Sequence, residues 1–312
     1  MKYYAGLDIG GTSGRIILSD ENGQVLERLQ TGGVSIFSGG EKAARKKYEE
    51  LVFTVLKKRK SEPSECEGIC VAATGIDSEA LRECVRDIFL DMGFPRSKLY
   101  VFNDCEVFLQ VYKAPSLILI GGTGSISFGQ SRSGAMVRTG GWGHILSDEG
   151  SGFHIGLEIV KAVGEHLDRR SHDETLYQMF YETTGISDLE ALNNFLNANI
   201  MTKNAIADLA PLAEEAMNEG SEAAREILEG TIQKLYRIAR DNYQKMTVDK
   251  EDTLNLIFWG SVLHKNKMVQ RGVAQLVREH IPNVEIQIPQ KQAVEIALEV
   301  ALGGQKEKIL CY

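Results

Sequence analysis

The chain has 312 residues, enough for two domains of about 150 each. Apolar residues make up 43% and charged ones 25%, the balance of an ordinary globular protein. Lys and Arg number 35 against 43 Asp and Glu, and the formal charge of -8 argues against nucleic acid or an anionic membrane as the main partner, since both reward a basic face.

The chain opens Met-Lys-Tyr-Tyr-Ala-Gly-Leu-Asp, without the apolar stretch and small-residue cleavage site of a signal peptide. No apolar run approaches the roughly 20 residues of a membrane helix, so the expected location is cytoplasmic. The first thirty residues read as strand, turn, strand, turn, strand. Tyr3 to Ile9 is apolar and ends in Gly10-Gly11-Thr12-Ser13-Gly14; Arg15 to Ser19 follows, then the hairpin turn Asn22-Gly23, then Val25 to Leu29. Glu41 to Lys60 has helical spacing, with Ala44, Tyr48, Leu51, Val52 and Leu56 near one face. Gly68 to Ala73 reads as a buried strand, Ser78 to Met92 as a helix, Lys98 to Phe102 as a strand and Glu106 to Tyr112 as a short helix.

Lys113-Ala-Pro115 is a hinge into a second copy of the opening device. Leu7-Asp-Ile-Gly-Gly-Thr12 aligns without gaps on Ile118-Leu-Ile-Gly-Gly-Thr123, 111 residues later, and Gly23 falls on Gly134. The second half is more helical, through Gly152 to Leu167 and Asn204 to Tyr243, the latter broken near Asn218-Glu-Gly220. Leu254 to Trp259 is a strand running into Gly260-Ser261. A helix over Lys267 to His280, a strand over Val284 to Ile288 and a helix over Gln290 to Leu302 complete the pattern. This predicts two α/β domains, one formed by residues 1–112 with 290–312 and the other by 113–289. Cys66, Cys70, Cys84, Cys105 and Cys311 form no Cys-x-x-Cys pair and are odd in number, so buried free thiols are expected.

Glycine is in excess, 31 residues or about 10% against a usual 7% or so. Neither glycine turn has the Gly-Lys-Ser/Thr of a P-loop, and both run from strand to strand where a dinucleotide fingerprint runs from strand to helix. Without side chains at Gly10 and Gly11, successive amides can converge on an anion, joined by the Thr12 and Ser13 hydroxyls. Gly121 to Ser125 repeats the device with Thr123 and Ser125. Asp8 is Leu119 in the second copy, so one turn alone carries a carboxylate. A carboxylate in an apolar strand needs work to do, and a Mg²⁺ site beside phosphates supplies it.

Asp8-Ile-Gly-Gly-Thr12, Ile120-Gly-Gly-Thr-Gly-Ser125 and Gly140-Gly-Trp-Gly-His-Ile-Leu-Ser-Asp-Glu-Gly-Ser-Gly152 together resemble the N-acetylglucosamine kinase family. That family lies in the BadF/BadG-type branch of the actin, heat-shock chaperone and sugar kinase superfamily. The resemblance implies two duplicated ribonuclease H-like (actin-like ATPase) α/β domains, with ATP and sugar in an interdomain cleft that closes. By the same likeness Gly11, Thr12 and Ser13 meet the phosphates of ATP from one domain. Gly122, Thr123, Gly124 and Ser125 meet them from the other, Gly260 and Ser261 lie against adenosine, and Asp8 stands on the Mg²⁺ side. Asp104, in Phe-Asn-Asp-Cys, matches the carboxylate that takes the proton of the attacking sugar hydroxyl. Read locally, Asp104 is also a cap for the helix from Glu106. Gly141, Trp142 and Asp148 match sugar contacts, although a tryptophan is commonly core and Ser151 is the natural cap of the helix from Gly152.

The family commonly has an Asn in the loop after the third strand; Thr31 to Gly39 has none, and Ser35 is the candidate to replace it. The missing Asn makes the particular sugar less determined than the reaction type. The resemblance implies an amino sugar acceptor: N-acetylglucosamine, glucosamine, or the lactyl-bearing N-acetylmuramic acid of cell-wall recycling, the last compatible with a roomier loop. Other readings are an ATPase that activates a partner enzyme, a sugar-sensing regulator, and a metal hydrolase using His144, Asp148, Glu149 and His154. The first lacks the expected cluster cysteines, the second lacks room for an N-terminal helix-turn-helix, and the third lacks a zinc spacing. The expectation is an ATP- and Mg²⁺-dependent kinase of a small-molecule amino sugar, with a homodimer left open by apolar helix surface in the second half.

Overall fold

A computed structural model of the chain describes residues 2–11 and 13–303, apart from the side chains of Phe37 and Ser38. Thr12 and Cys311, both singled out above, lie outside the described residues. The chain divides into two compact units, Met1–Lys113 with Gln290–Tyr312, and Ala114–Pro289.

The first unit begins with β1 (Tyr3–Ile9), β2 (Ser13–Ser19) and β3 (Val25–Gly32), then α1 (Ile36–Arg59), β4 (Cys66–Ala73), α2 (Glu79–Asp91), β5 (Leu99–Asn103) and α3 (Glu106–Leu109). Its sheet has the order β3-β2-β1-β4-β5. The first three strands form an antiparallel meander, and β4 and β5 add parallel to β1. The strands alternate with helices where sequence periodicity switches from 2 to 3.6, so α1 lays Tyr48, Leu51, Val52 and Val55 into one core with Leu7, Ile16 and Val71. Helix α1 begins five residues before the expected Glu41, because its first turn continues across a kink at Gly40 (φ 76°).

The second unit contains β6 (Ser116–Gly121), β7 (Ser125–Gln130), β8 (Met136–Gly140), α4 (Gly152–Leu167), α5 (Glu174–Thr184), α6 (Leu189–Asn199), α7 (Asn204–Ala207), α8 (Pro211–Asn218), α9 (Glu222–Lys245), β9 (Leu254–Trp259), α10 (Ser261–Lys265), α11 (Lys267–His280) and β10 (Val284–Gln287). Read from one edge its sheet is β8-β7-β6-β9-β10, strand for strand the order of the first, with the same antiparallel and parallel pairings. The duplication expected from two glycine turns is thus a duplication of whole sheets. Helices α5 and α6 escape the periodicity reading because each buries little, Leu176 and Phe180 in one and Leu192 in the other. Their starts are set by capping: Asp173 accepts from the Leu176 amide and also from Ser221 and Ala223 at the head of α9, so one carboxylate serves two helix ends.

The chain then returns to the first unit as α12 (Ala293–Gly303), which packs Val294 and Leu298 against Tyr4 and Ile17. The approach is close enough to require glycine beneath it. A Cβ on Gly6 would stand 2.4 Å from the Leu298 amide nitrogen, and one on Gly68 2.5 Å from the Ala301 carbonyl oxygen. Cys66, Cys70 and Cys105 are buried free thiols and Cys84 is a partly buried one. Among the described residues no helix is long and apolar enough to cross a membrane.

Candidate active site

In the first unit the parallel strands β1, β4 and β5 all end at one edge of the sheet, the edge at which open α/β sheets take ligands. The turn after β1 is closed by the Gly10 amide donating to Ser13 O at 2.9 Å, which leaves Gly11 exposed at its tip. Asp8 lies opposite Arg15 in the β1–β2 register, and Arg15 Nη1 approaches Asp8 Oδ2 to 3.2 Å. Burial lifts the Asp8 carboxyl above its usual range, and Arg15 opposes the rise. Arg15 was not foreseen, although the hairpin register would have placed it there.

The next strand ends continue the same edge. Thr74 donates its amide to Ile9 O at 2.9 Å, and Asp104 donates its own to Ala73 O at 3.2 Å. Asp104 is half-buried, and desolvation pushes its carboxyl up to about 6. The nearby charges of Asp8 and Asp77 add to the rise, while the Cys105 thiol, 3.4 Å from Oδ1, and the Thr74 side chain oppose it. A carboxylate tuned to this range is a usable general base near neutral pH. Asp104 does not cap the following helix: Cys105 holds the N-cap position of α3, with no side-chain cap bond.

In the second unit the equivalent turn joins β6 to β7. The Gly122 amide donates to Gly124 O at 2.9 Å, and the head of α4 braces the loop from outside, Gly152 N to Gly122 O at 2.7 Å and Phe153 N to Thr123 O at 3.3 Å. Ser151 caps α4 through the His154 amide, as expected. Ser125 needs a correction. It is buried, its amide is spent on Asp148 Oδ1 at 3.2 Å and its hydroxyl on Glu149 O at 2.7 Å, so it shapes the turn instead of offering donors to a ligand. Thr123 is exposed at the turn and Gly124 is part-exposed beside it.

Gly260, at the end of β9, has φ 93°, and a Cβ there would meet Gly121 O at 2.5 Å. Only glycine fits between the two strand ends. Ser261, Lys265, Glu214 and Glu215 then join Gly122 and Thr123 around a cavity of about 280 Å³. The α8 side of this cavity carries no sequence motif and was missed.

The loop from Gly140 to Ser151 is held by Arg138, whose Nη2 donates to Gly141 O at 2.6 Å and whose guanidinium lies 4.0 Å from the Trp142 ring centroid. Trp142 is 64% exposed, which corrects the view of it as core. Asp148 is 4% exposed, with φ 71° and Lys203 Nζ 3.9 Å from Oδ2. Burial raises its carboxyl, against the Ser125 amide and Lys203. His144 packs edge-on against Phe153 and His154 meets Lys234, and among the described residues no three His, Cys, Asp or Glu side chains could hold a metal ion together.

The model of the BadF/BadG/BcrA/BcrD ATPase family matches residues 5–302. The chain is 27% identical over 288 residues to the N-acetylmuramic acid/N-acetylglucosamine kinase of Clostridium acetobutylicum, covering 92% of this chain and 94% of that protein. It is 28% identical over 294 residues to the N-acetyl-D-glucosamine kinase of Dictyostelium discoideum, covering 91% and 92%. Its fold is similar to a Chromobacterium violaceum protein provisionally named an N-acetylglucosamine kinase, with TM-score 0.72 and 21% identity over 96% of this chain and 99% of that one. A ROK family glucokinase from Streptomyces griseus, solved with glucose and AMPPNP, gives TM-score 0.54 at 14% identity over 96% and 98%. With paired glycine turns on duplicated five-stranded sheets and a family match spanning both, the chain belongs to the BadF/BadG/BcrA/BcrD ATPase family.

Proposed function

We propose that the protein transfers the γ-phosphoryl group of ATP to a primary hydroxyl of an amino sugar, with Asp104 as general base. An ATP-dependent enzyme follows from the family, and the two curated relatives named above are kinases of N-acetylglucosamine, one of them also of N-acetylmuramic acid. The observation that carries the reading is the half-buried Asp104 carboxyl at about 6, at the strand-end edge beside Asp8. In the proposed reaction Asp104 accepts the sugar hydroxyl proton, the oxygen forms its bond to the γ-phosphorus, and the bond to the β-phosphate oxygen breaks to release ADP.

Gly11 and Ser13, with Thr12 from outside the described residues, are proposed to hold phosphate in the first unit; Thr123 and Gly124, on the frame made by Gly122 and Ser125, do so in the second. The 280 Å³ cavity beside Gly260 and Ser261 suits a nucleoside whose phosphates point toward Gly122 and Thr123. Asp8 is proposed for Mg²⁺, and the residues fit: a single carboxylate beside phosphates suits an ion that keeps its waters, and Arg15 is the partner it would exchange. That ion, when bound, neutralises charge on the phosphates. Gly141 and Trp142 are proposed as a sugar wall, the ring offering a flat apolar face. Asp148 keeps Oδ1 on the Ser125 amide, and its other oxygen is proposed for a sugar hydroxyl.

The test is coupled ADP release with Mg²⁺-ATP on N-acetylglucosamine, glucosamine, N-acetylmuramic acid, N-acetylmannosamine and glucose. Strong turnover on one or two N-acetyl sugars is expected, and it would establish the acceptor. Silence on all five with slow ATP hydrolysis would overturn the amino sugar reading in favour of an ATPase that serves a partner protein.

A further inference from the structure

Glu106 is 4% exposed on a helix of only four residues, a costly place for a carboxylate. Its Oε1 lies 2.6 Å from Arg82 Nη2 on α2, and its Oε2 accepts the Asn103 amide at 3.2 Å. Asn103 donates Nδ2 to Asp77 Oδ1 at 2.7 Å and accepts the Cys105 amide on Oδ1 at 2.9 Å. Both neighbours of Asp104 are therefore held by side chains, and the chain of bonds leads back to one ion pair, buried on its carboxylate side and part-exposed at Arg82.

Such a pair is poor evidence of added stability, because desolvation commonly offsets the Coulomb gain and apolar residues of similar size often serve as well. Its place here suggests a geometric purpose. The α3 N-cap makes no side-chain cap bond, and the Asp104 amide on Ala73 O and the Cys105 thiol on Asp104 Oδ1 hold Asp104 itself, so the amides on either side of it are left to Glu106 and Asn103. We propose that Glu106, clamped by Arg82, is a positioning residue: it fixes the turn Asn103–Cys105 and with it the direction of the Asp104 carboxylate. The proposal rests on the reading of Asp104 as the base. Its effect on rate follows from orientation, where a displacement of about 1 Å can cost on the order of 100-fold.

The test separates folding from aim. Arg82→Met with Glu106→Leu removes both charges and the acceptor for Asn103, leaving apolar side chains of similar length. Arg82→Met with Glu106→Gln removes the charges but retains an acceptor. Both double variants are expected to melt near the wild type and to bind an unreactive ATP analogue within about twofold of it. The Leu version should turn over at least tenfold more slowly than the Gln version, with KM for ATP little changed. Equal kcat in the two would overturn the proposal. Should the Leu version fail to fold, Glu106→Asp carries the same test, since it retains the charge but withdraws the carboxylate by one methylene. Reduced kcat at unchanged analogue affinity supports the clamp, and wild-type kcat overturns it. Asp104→Asn, assayed in parallel, tells the two failures apart: if that variant retains turnover, the base assignment falls, whereas a dead Asp104→Asn beside equal Leu and Gln versions removes the clamp alone.

Discussion

Asp104 links chemistry to stability through one titration. Its carboxyl sits at about 6 in the folded protein against an ordinary value of 3.8. The folded state therefore takes up a proton between about pH 4 and 6 that the unfolded chain does not. The cost of the buried carboxylate is absent below about pH 4 and complete above about pH 6, on the order of 2 kcal/mol for a half-buried group. Asp104→Asn should raise the melting temperature at pH 7.5 and leave it unchanged at pH 4, while lowering kcat by on the order of 10²–10⁴-fold with ADP affinity retained. Thermal melts at the two pH values and single-turnover assays check both halves. In the wild type kcat/KM should fall as pH drops through about 6; a flat profile down to pH 5 would remove Asp104 from the base role. Asp8 could be picked out from sequence because it interrupts an apolar strand, and Asp104 only through the family resemblance, its local reading being a helix cap. Arg138, Lys203 and the Arg82–Glu106 pair could not, since each matters through a partner that spacing does not reveal. Ser125 illustrates the limit of motif reading: it has the right chemistry for phosphate, yet points into the fold.

At the scale of elements, both sheets depend on glycine where backbone meets backbone. Gly260→Ala would place a methyl 2.5 Å from Gly121 O at a backbone angle disfavoured for alanine. It should destabilise the second unit by about 2 kcal/mol or more and weaken ATP-analogue binding, measurable by urea unfolding and calorimetry. Gly68→Val in the first unit should push α12 off β4 at a cost of about 1–3 kcal/mol or more, read as faster amide exchange over Ala293–Gly303. Strands and the longer helices were legible because burial repeats at a fixed period. Among the elements that help build the nucleoside-sized cavity, α7 and α8 fall in the helical stretch expected from Asn204 with its break after Asn218, whereas the five-residue α10 is too short for a period to emerge.

For the whole molecule, the family match covers both sheets, and the matching strand order agrees with what two six-residue turns already implied. The units differ in how the chain builds them. The second runs without interruption from Ala114 to Pro289, whereas the first needs Gln290 onward. A fragment of residues 114–289 should fold alone with a cooperative melt, and residues 1–113 should not until 290–303 are supplied; circular dichroism and limited proteolysis of the two fragments decide this. The separation also orders events during synthesis. About 190 residues lie between the end of β5 and the start of α12, which at ribosomal speed is roughly 10–40 s. Throughout that interval Tyr4 and Ile17 lack the helix that covers them, and the half encoded later is the first able to finish. A chain cut short at Pro289 and released would thus carry a complete second half and an unfinished first one, making the opening strands the natural place for a chaperone to bind.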